Sequence, residues 1–187
     1  ALVGIRSDRR AGPLPNDLLA LSLDERVPRS IGPGGRLPPG RGEWALLSRR
    51  PFSIPWRRTE PAGDGFEIEI VLRWILRWSE ETPEEVVACL LDSPGEWRAE
   101  DLLRPVASCL ERMFLRFIES APATTLLRRS DAEFRRGLLA SLDRTRTTAK
   151  ARASRGIRIL GVEIVERSSP EARLHARRRA GEAVRGA

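Results

Sequence analysis

Glu67 and Glu69 stand two residues apart at the start of a strongly patterned stretch, Phe66–Trp78 (FEIEIVLRWILRW). Two carboxylates on one strand face are the residue types a general acid and base pair uses. No partner chemistry accompanies them, and both are expected to pair with Arg73 or Arg77, or with basic residues on a neighbouring strand. His175 is the single histidine and lies on an arginine-rich terminal segment. A Ser-His-Asp device needs a packed imidazole and a metal centre needs clustered ligands, and the sequence offers neither. Cys89 and Cys109 sit in apolar helical patterns without CxxC spacing or a nearby histidine, so they read as small buried hydrophobes. Residues 31–42 (IGPGGRLPPGRG) hold five glycines and three prolines but no GKS or GKT ending, which predicts a surface loop and not a phosphate cradle. No nucleophile and no cofactor box stand out. The expectation is a non-enzyme with no catalytic, cofactor-binding or metal residues.

Charge is the next chemical feature. All but one of the 33 basic residues are arginine, the exception being Lys150, and tyrosine is absent. Residues 128–187 carry 16 basic against 7 acidic side chains, whereas residues 1–127 carry 17 against 19. A basic last third suits an anionic membrane surface, nucleic acid or an acidic partner, and it equally suits a solvated helix face. A hydrophobic content of 41% is that of a folded chain. At 187 residues there is enough of it for one good core, or for one large and one small. No run approaches the eighteen or so unbroken apolar residues of a membrane span.

These residues have to be positioned by elements, and the hydrophobic periodicity predicts them. Phe66, Ile68, Ile70, Leu72, Trp74, Leu76 and Trp78 alternate, placing seven apolar groups on one face of a long strand. The other face carries Glu67, Glu69, Arg73 and Arg77 with Val71 and Ile75 between them. Asp64-Gly65 predicts a turn leading into that strand from a partner at 51–58, where Pro51 and Pro55 argue for an edge position. Residues 43–47 are a further strand candidate, and 1–42 are expected to be irregular apart from a short strand at Leu18–Leu23. Thr82-Pro83-Glu84-Glu85 predicts a helix start, and Glu100–Glu119 a second helix with an apolar stripe through Leu110, Met113, Phe114 and Phe117. After a turn of helix near 124–129, Ser130-Asp131-Ala132-Glu133 is a capping box. It opens a helix expected to run to about Ser154, with Gly156 as its left-handed cap. Ile157–Glu166 predicts a second strong strand whose alternation slips at Leu160-Gly161. Ser169-Pro170-Glu171 begins a polar helix. The expected fold class is α+β: a twisted, mainly antiparallel sheet packed against two to three helices, followed by the start of an extended C-terminal helix.

That order, with those motifs, resembles the SPFH or band-7 domain of stomatins, prohibitins, flotillins and related bacterial membrane proteins. Asp64-Gly65 precedes a strand ending Leu72-Arg73-Trp74-Ile75-Leu76, where the family has its valine-rich strand and Trp74 stands near the family's tyrosine. Thr82–Val86 is similar to the short helix of the family, and Leu103–Ile118, with Val106, Ser108 and Leu110, to the next one. Thr125-Leu126-Leu127 and Arg128-Arg129-Ser130 resemble its following segment. Gly156–Ile164 (GIRILGVEI) resembles its glycine-isoleucine strand, and Ser169-Pro170-Glu171 begins the helix that usually extends into a coiled coil. The resemblance covers roughly residues 43–187. It divides the chain into an N-terminal segment at 1–42, an SPFH-like domain at 43–168 and an arginine-rich helix at 169–187, a possible coiled-coil start.

The resemblance implies a non-catalytic scaffold that self-associates into a ring or cage, attached to an anionic membrane surface or a membrane protein partner, with a soluble fragment here. The alternative is a basic nucleic-acid-binding module using the C-terminal third. Candidate contacts to neighbours are Val71, Arg73, Ile75 and Glu163 on the strands, and Arg173, Arg177, Arg178 and Arg179 on the terminal segment.

Overall fold

The computed structural model describes residues 2–7, 12–23, 29–38, 43–79, 85–86, 96–99, 103–144, 153–154, 156–172 and 174–175. It is an α+β fold of antiparallel sheets and helices. Eleven strands are described: β1 (Leu2–Ser7), β2 (Gly12–Pro13), β3 (Leu18–Ser22), β4 (Ser30–Ile31), β5 (Arg36–Leu37), β6 (Trp44–Ser48), β7 (Phe52–Pro61), β8 (Glu67–Trp78), β9 (Glu96–Arg98), β10 (Ala153–Ser154) and β11 (Ile157–Ser168). Three helices lie between β9 and β10: α1 (Leu103–Glu119), α2 (Ala123–Arg128) and α3 (Asp131–Arg144). The chain divides into two compact units, one of residues 1–54, 74–109 and 148–161, the other of 55–73, 110–147 and 162–187.

The first unit holds a five-stranded sheet in the order β4-β3-β6-β1-β9. Segment 1–42 is therefore not irregular. β3 pairs with β6 from Leu18↔Ser48 to Ser22↔Trp44, and β1 covers the other edge of β6 from Gly4↔Leu47 to Ser7↔Trp44. Leu14, Ala20, Leu37, Trp44 and Leu46 form a buried cluster here, with Leu18 and Ile31 against it. The glycine-proline stretch expected to be all loop contributes Ile31 to β4 and Arg36–Leu37 to β5, where Leu37 pairs with Gly12 and is buried. Apolar side chains at Ile31 and Leu37 outweighed the turn composition around them.

The long strands form a four-stranded sheet in the order β10-β11-β8-β7. On β8 every even residue from Ile68 to Trp78 is buried and every odd one is half-buried or exposed. Among the described strands β7 has one neighbour, as its prolines predict. Its hairpin to β8 closes with the Ala62 N–H donating to the Phe66 carbonyl at 2.9 Å and the Gly65 N–H to the Ala62 carbonyl at 2.8 Å. Gly65 supplies the turn's positive φ of 82°. On β11 burial falls at Ile157, then moves to the opposite parity at Val162, which is the slip read from Leu160-Gly161.

In the second unit, α1 lays Met113, Phe114, Phe117 and Ile118 inward, all buried. Trp56 of β7 meets Phe114 edge-on at 4.9 Å, and Phe117 meets Phe134 of α3 edge-on at 4.8 Å. Edge-to-face geometry sets a ring's positive rim against a negative face, which adds to simple burial. Asp64 of the β7–β8 turn caps α2: its carboxylate accepts from the Ala123 N–H at 3.1 and 3.2 Å.

Two expectations near α3 need correction. The helix does not reach Ser154, because Ala153 and Ser154 are strand, pairing with Arg158 and Ile157. Gly156 is left-handed, with φ 76°, but as the turn residue of that hairpin and not as a helix cap. Its bareness is needed twice over, since a Cβ there would fall 2.5 Å from the Val86 backbone. Of the Thr82 helix only Glu85 and Val86 lie within the described residues, and both are helical. Cys89, and residues 145–152 of the helix expected to reach Ser154, lie outside them.

Candidate interface on the exposed face of the long-strand sheet

The odd residues of β8 form the face that the core leaves uncovered. Val71 and Ile75 are half-buried and Arg73 is exposed. Strand alternation alone separates them from the fully buried Ile70, Leu72, Trp74 and Leu76. Ile75 belongs to the first unit; Val71, Arg73 and Glu163 belong to the second.

Across the strand pair, an Arg73 guanidinium N–H donates to Glu163 Oε2 at 3.0 Å. The two side chains are 51% and 54% exposed, so solvent screens the pair and it is worth only about 0–1 kcal/mol. On the other side of β8, Arg57 of β7 pairs with Glu69. Glu69 thus has its partner on the neighbouring strand, one of the alternatives read from the sequence, while Arg73 is engaged by Glu163. The half-buried Val71 therefore lies on a strand flanked by an ion pair on each side.

β11 adds a residue that the sequence did not single out. Val165 is two positions from Glu163, on the same face, and is 56% exposed. Leu174, at the start of the terminal helix, is 52% exposed. The signal for Val165 was available: after the slip at Gly161, odd positions of β11 no longer point inward. An apolar side chain at such a position has no core to join.

Ser169 and Ala172 are both buried at the start of the terminal helix. The Ser169 hydroxyl donates to the Glu67 carbonyl, and its oxygen accepts from the Ala172 N–H at 3.4 Å as a helix cap. His175, on that helix, is exposed and its ring lies 5.2 Å from Phe66. Arg173, Arg177, Arg178 and Arg179 lie outside the described residues. Among the described residues no group of three His, Cys, Asp or Glu is placed to hold a metal ion, and no helix is long and apolar enough to cross a membrane.

Screened ion pairs around partly covered apolar groups can set register against another surface while contributing little to folding. They offer no nucleophile and no enclosed acid or base. No protein-family model matches the chain, and no curated protein matches it.

Proposed function

We propose that the chain is a non-catalytic scaffold domain of the SPFH or band-7 type. Its copies pack side by side into a ring or cage at a membrane, where the assembly organises a membrane microdomain or holds a membrane-bound partner complex. One observation carries the assembly role: the uncovered face of β8 and β11 presents Val71 and Val165 beside the exposed Arg73–Glu163 pair. The family resemblance supports the rest through element order. Among the described residues the long strand β8 is followed by α1, α2 and α3, the long strand β11 and the serine-capped helix start, with the short strands β9 and β10 between them.

Light scattering across a concentration series tests the proposal, on this chain and on the full gene product. The expected outcome is defined large particles for the gene product, lost when Val71→Asp and Glu163→Lys are introduced together. Identical small species for every version, at all concentrations, would sink it.

A further inference from the structure

Among the described strands β7 lies at a sheet edge, with a cleft beside it. Its even residues Trp56, Arg58 and Glu60 and the α1 residues Glu111, Phe114 and Leu115 line a space of about 280 Å³. Both sets are geometrically enforced: alternate strand residues share a face, and helix positions three and four apart share a stripe. Arg58 is committed, since it pairs with Glu111 and its guanidinium lies 5.1 Å over the Trp56 ring. Glu60 is half-buried and has no hydrogen-bond or ion-pair partner among the described residues. The lining thus carries one carboxylate in excess.

The free edge has a pattern of its own. At the hairpin's closure the Ala62 N–H donates to the carbonyl of Phe66, the residue before β8, and in an antiparallel pair every second residue back along the strand does likewise. The even residues of β7 accordingly turn their amides toward β8, and the odd residues turn theirs outward. Pro51, Pro55 and Pro61 all fall at odd positions, where a missing N–H breaks no ladder bond. Prolines at outward positions block strand addition along most of the edge. They leave Arg57 and Thr59 as two successive outward amides, directly alongside the cleft.

We propose that this edge receives a short extended peptide segment carrying a basic side chain. The segment would add as a strand at Arg57–Thr59, about 4.8 Å from β7. Its inward-facing Lys or Arg would lie over the cleft and pair with Glu60, while its neighbours face the opposite side of the sheet. The cleft lies on the opposite face of the sheet from Val71, Arg73 and Glu163, so this inference is tested without the scaffold proposal.

The test uses a fluorescent heptapeptide, Thr-Val-Thr-Arg-Thr-Val-Thr, its twin with Glu for the central Arg, and anisotropy against the 187-residue chain. The Arg probe is expected to bind with a Kd below ~1 mM, and the Glu probe about tenfold or more weaker. Thr59→Pro removes an outward amide at the parity where prolines already stand and should weaken the Arg probe by about tenfold. Glu60→Gln leaves the backbone untouched and should narrow the gap between the two probes, which keeps the test decisive if Thr59→Pro unfolds the chain. No binding of the Arg probe at ~1 mM overturns the proposal. So do equal affinities for both probes, or a folded Thr59→Pro variant that binds like the wild type.

Discussion

At the start of α3, Glu133 and Ser130 satisfy one another's backbone. The Ser130 N–H and hydroxyl each donate to Glu133 Oε2 at 2.8 Å, and the Glu133 N–H donates to Ser130 Oγ at 3.3 Å. The Ser130 main-chain N–H is the largest cause holding the Glu133 carboxyl below its ordinary value, followed by the hydroxyl, with Arg136 and Arg129 adding their charges. A carboxylate with a lowered folded pKa contributes stability that is fully present above its unfolded value and is lost as pH falls through the lowered one. Thermal unfolding of the wild type and Glu133→Gln across pH should therefore show a gap at neutral pH that closes in acid. A gap independent of pH would assign the stabilisation to something other than the charge. This device was legible in the sequence because all its parts lie within four residues. Arg167 was not. Its side chain bonds the Leu126 carbonyl at 3.0 Å and Asp131 at 2.6 Å, and lies 4.8 Å over the Phe134 ring, partners more than thirty residues away that no local spacing announces.

At the scale of the element, β8 separates stability from surface within one strand. Leu72 is fully buried, so Leu72→Ala should cost about 2–5 kcal/mol through lost transfer energy and the cavity left behind. Its neighbour Val71 is half-buried on the other face, and Val71→Thr should change stability by less than about 1 kcal/mol. Urea denaturation of the two variants reads this directly; comparable losses would mean that β8 is covered on both sides. Long periodic elements such as β8, β11 and α1 were readable because a repeated period leaves few alternatives. β1, β9 and β10 were not. Strands of two to six residues take their identity from a partner, as Ala153 and Ser154 do from Arg158 and Ile157. Gly156 shows the same limit, because a left-handed glycine suits a helix cap and a hairpin turn equally well. Arg73 and Glu163 were each marked as candidate contacts, but their 3.0 Å pairing depends on β8 and β11 being neighbours. Sequence alone does not state which strands are adjacent.

Across the whole molecule, charge is the property that no single element owns. Residues 128–187 carry 16 basic against 7 acidic side chains, while the preceding 127 carry 17 against 19. Attraction to an anionic bilayer grows by about 1 kcal/mol for each arginine near the surface and decays within a Debye length. Duplex DNA draws on the same charges but reports them as a steep salt slope, roughly one unit for each phosphate neutralised. The scaffold proposal and the nucleic-acid alternative therefore separate in one experiment, a salt titration against both ligands. The scaffold predicts that the chain sediments with vesicles containing phosphatidylserine and not with neutral ones, and that sodium chloride weakens this binding. Reversing Arg177, Arg178 and Arg179 to Glu should abolish it while leaving thermal stability unchanged, since long arginine side chains on a segment poor in large apolar residues have little core to lose. Tight duplex binding with a slope of several units, alongside no preference for anionic vesicles, would instead make the basic third a nucleic-acid surface.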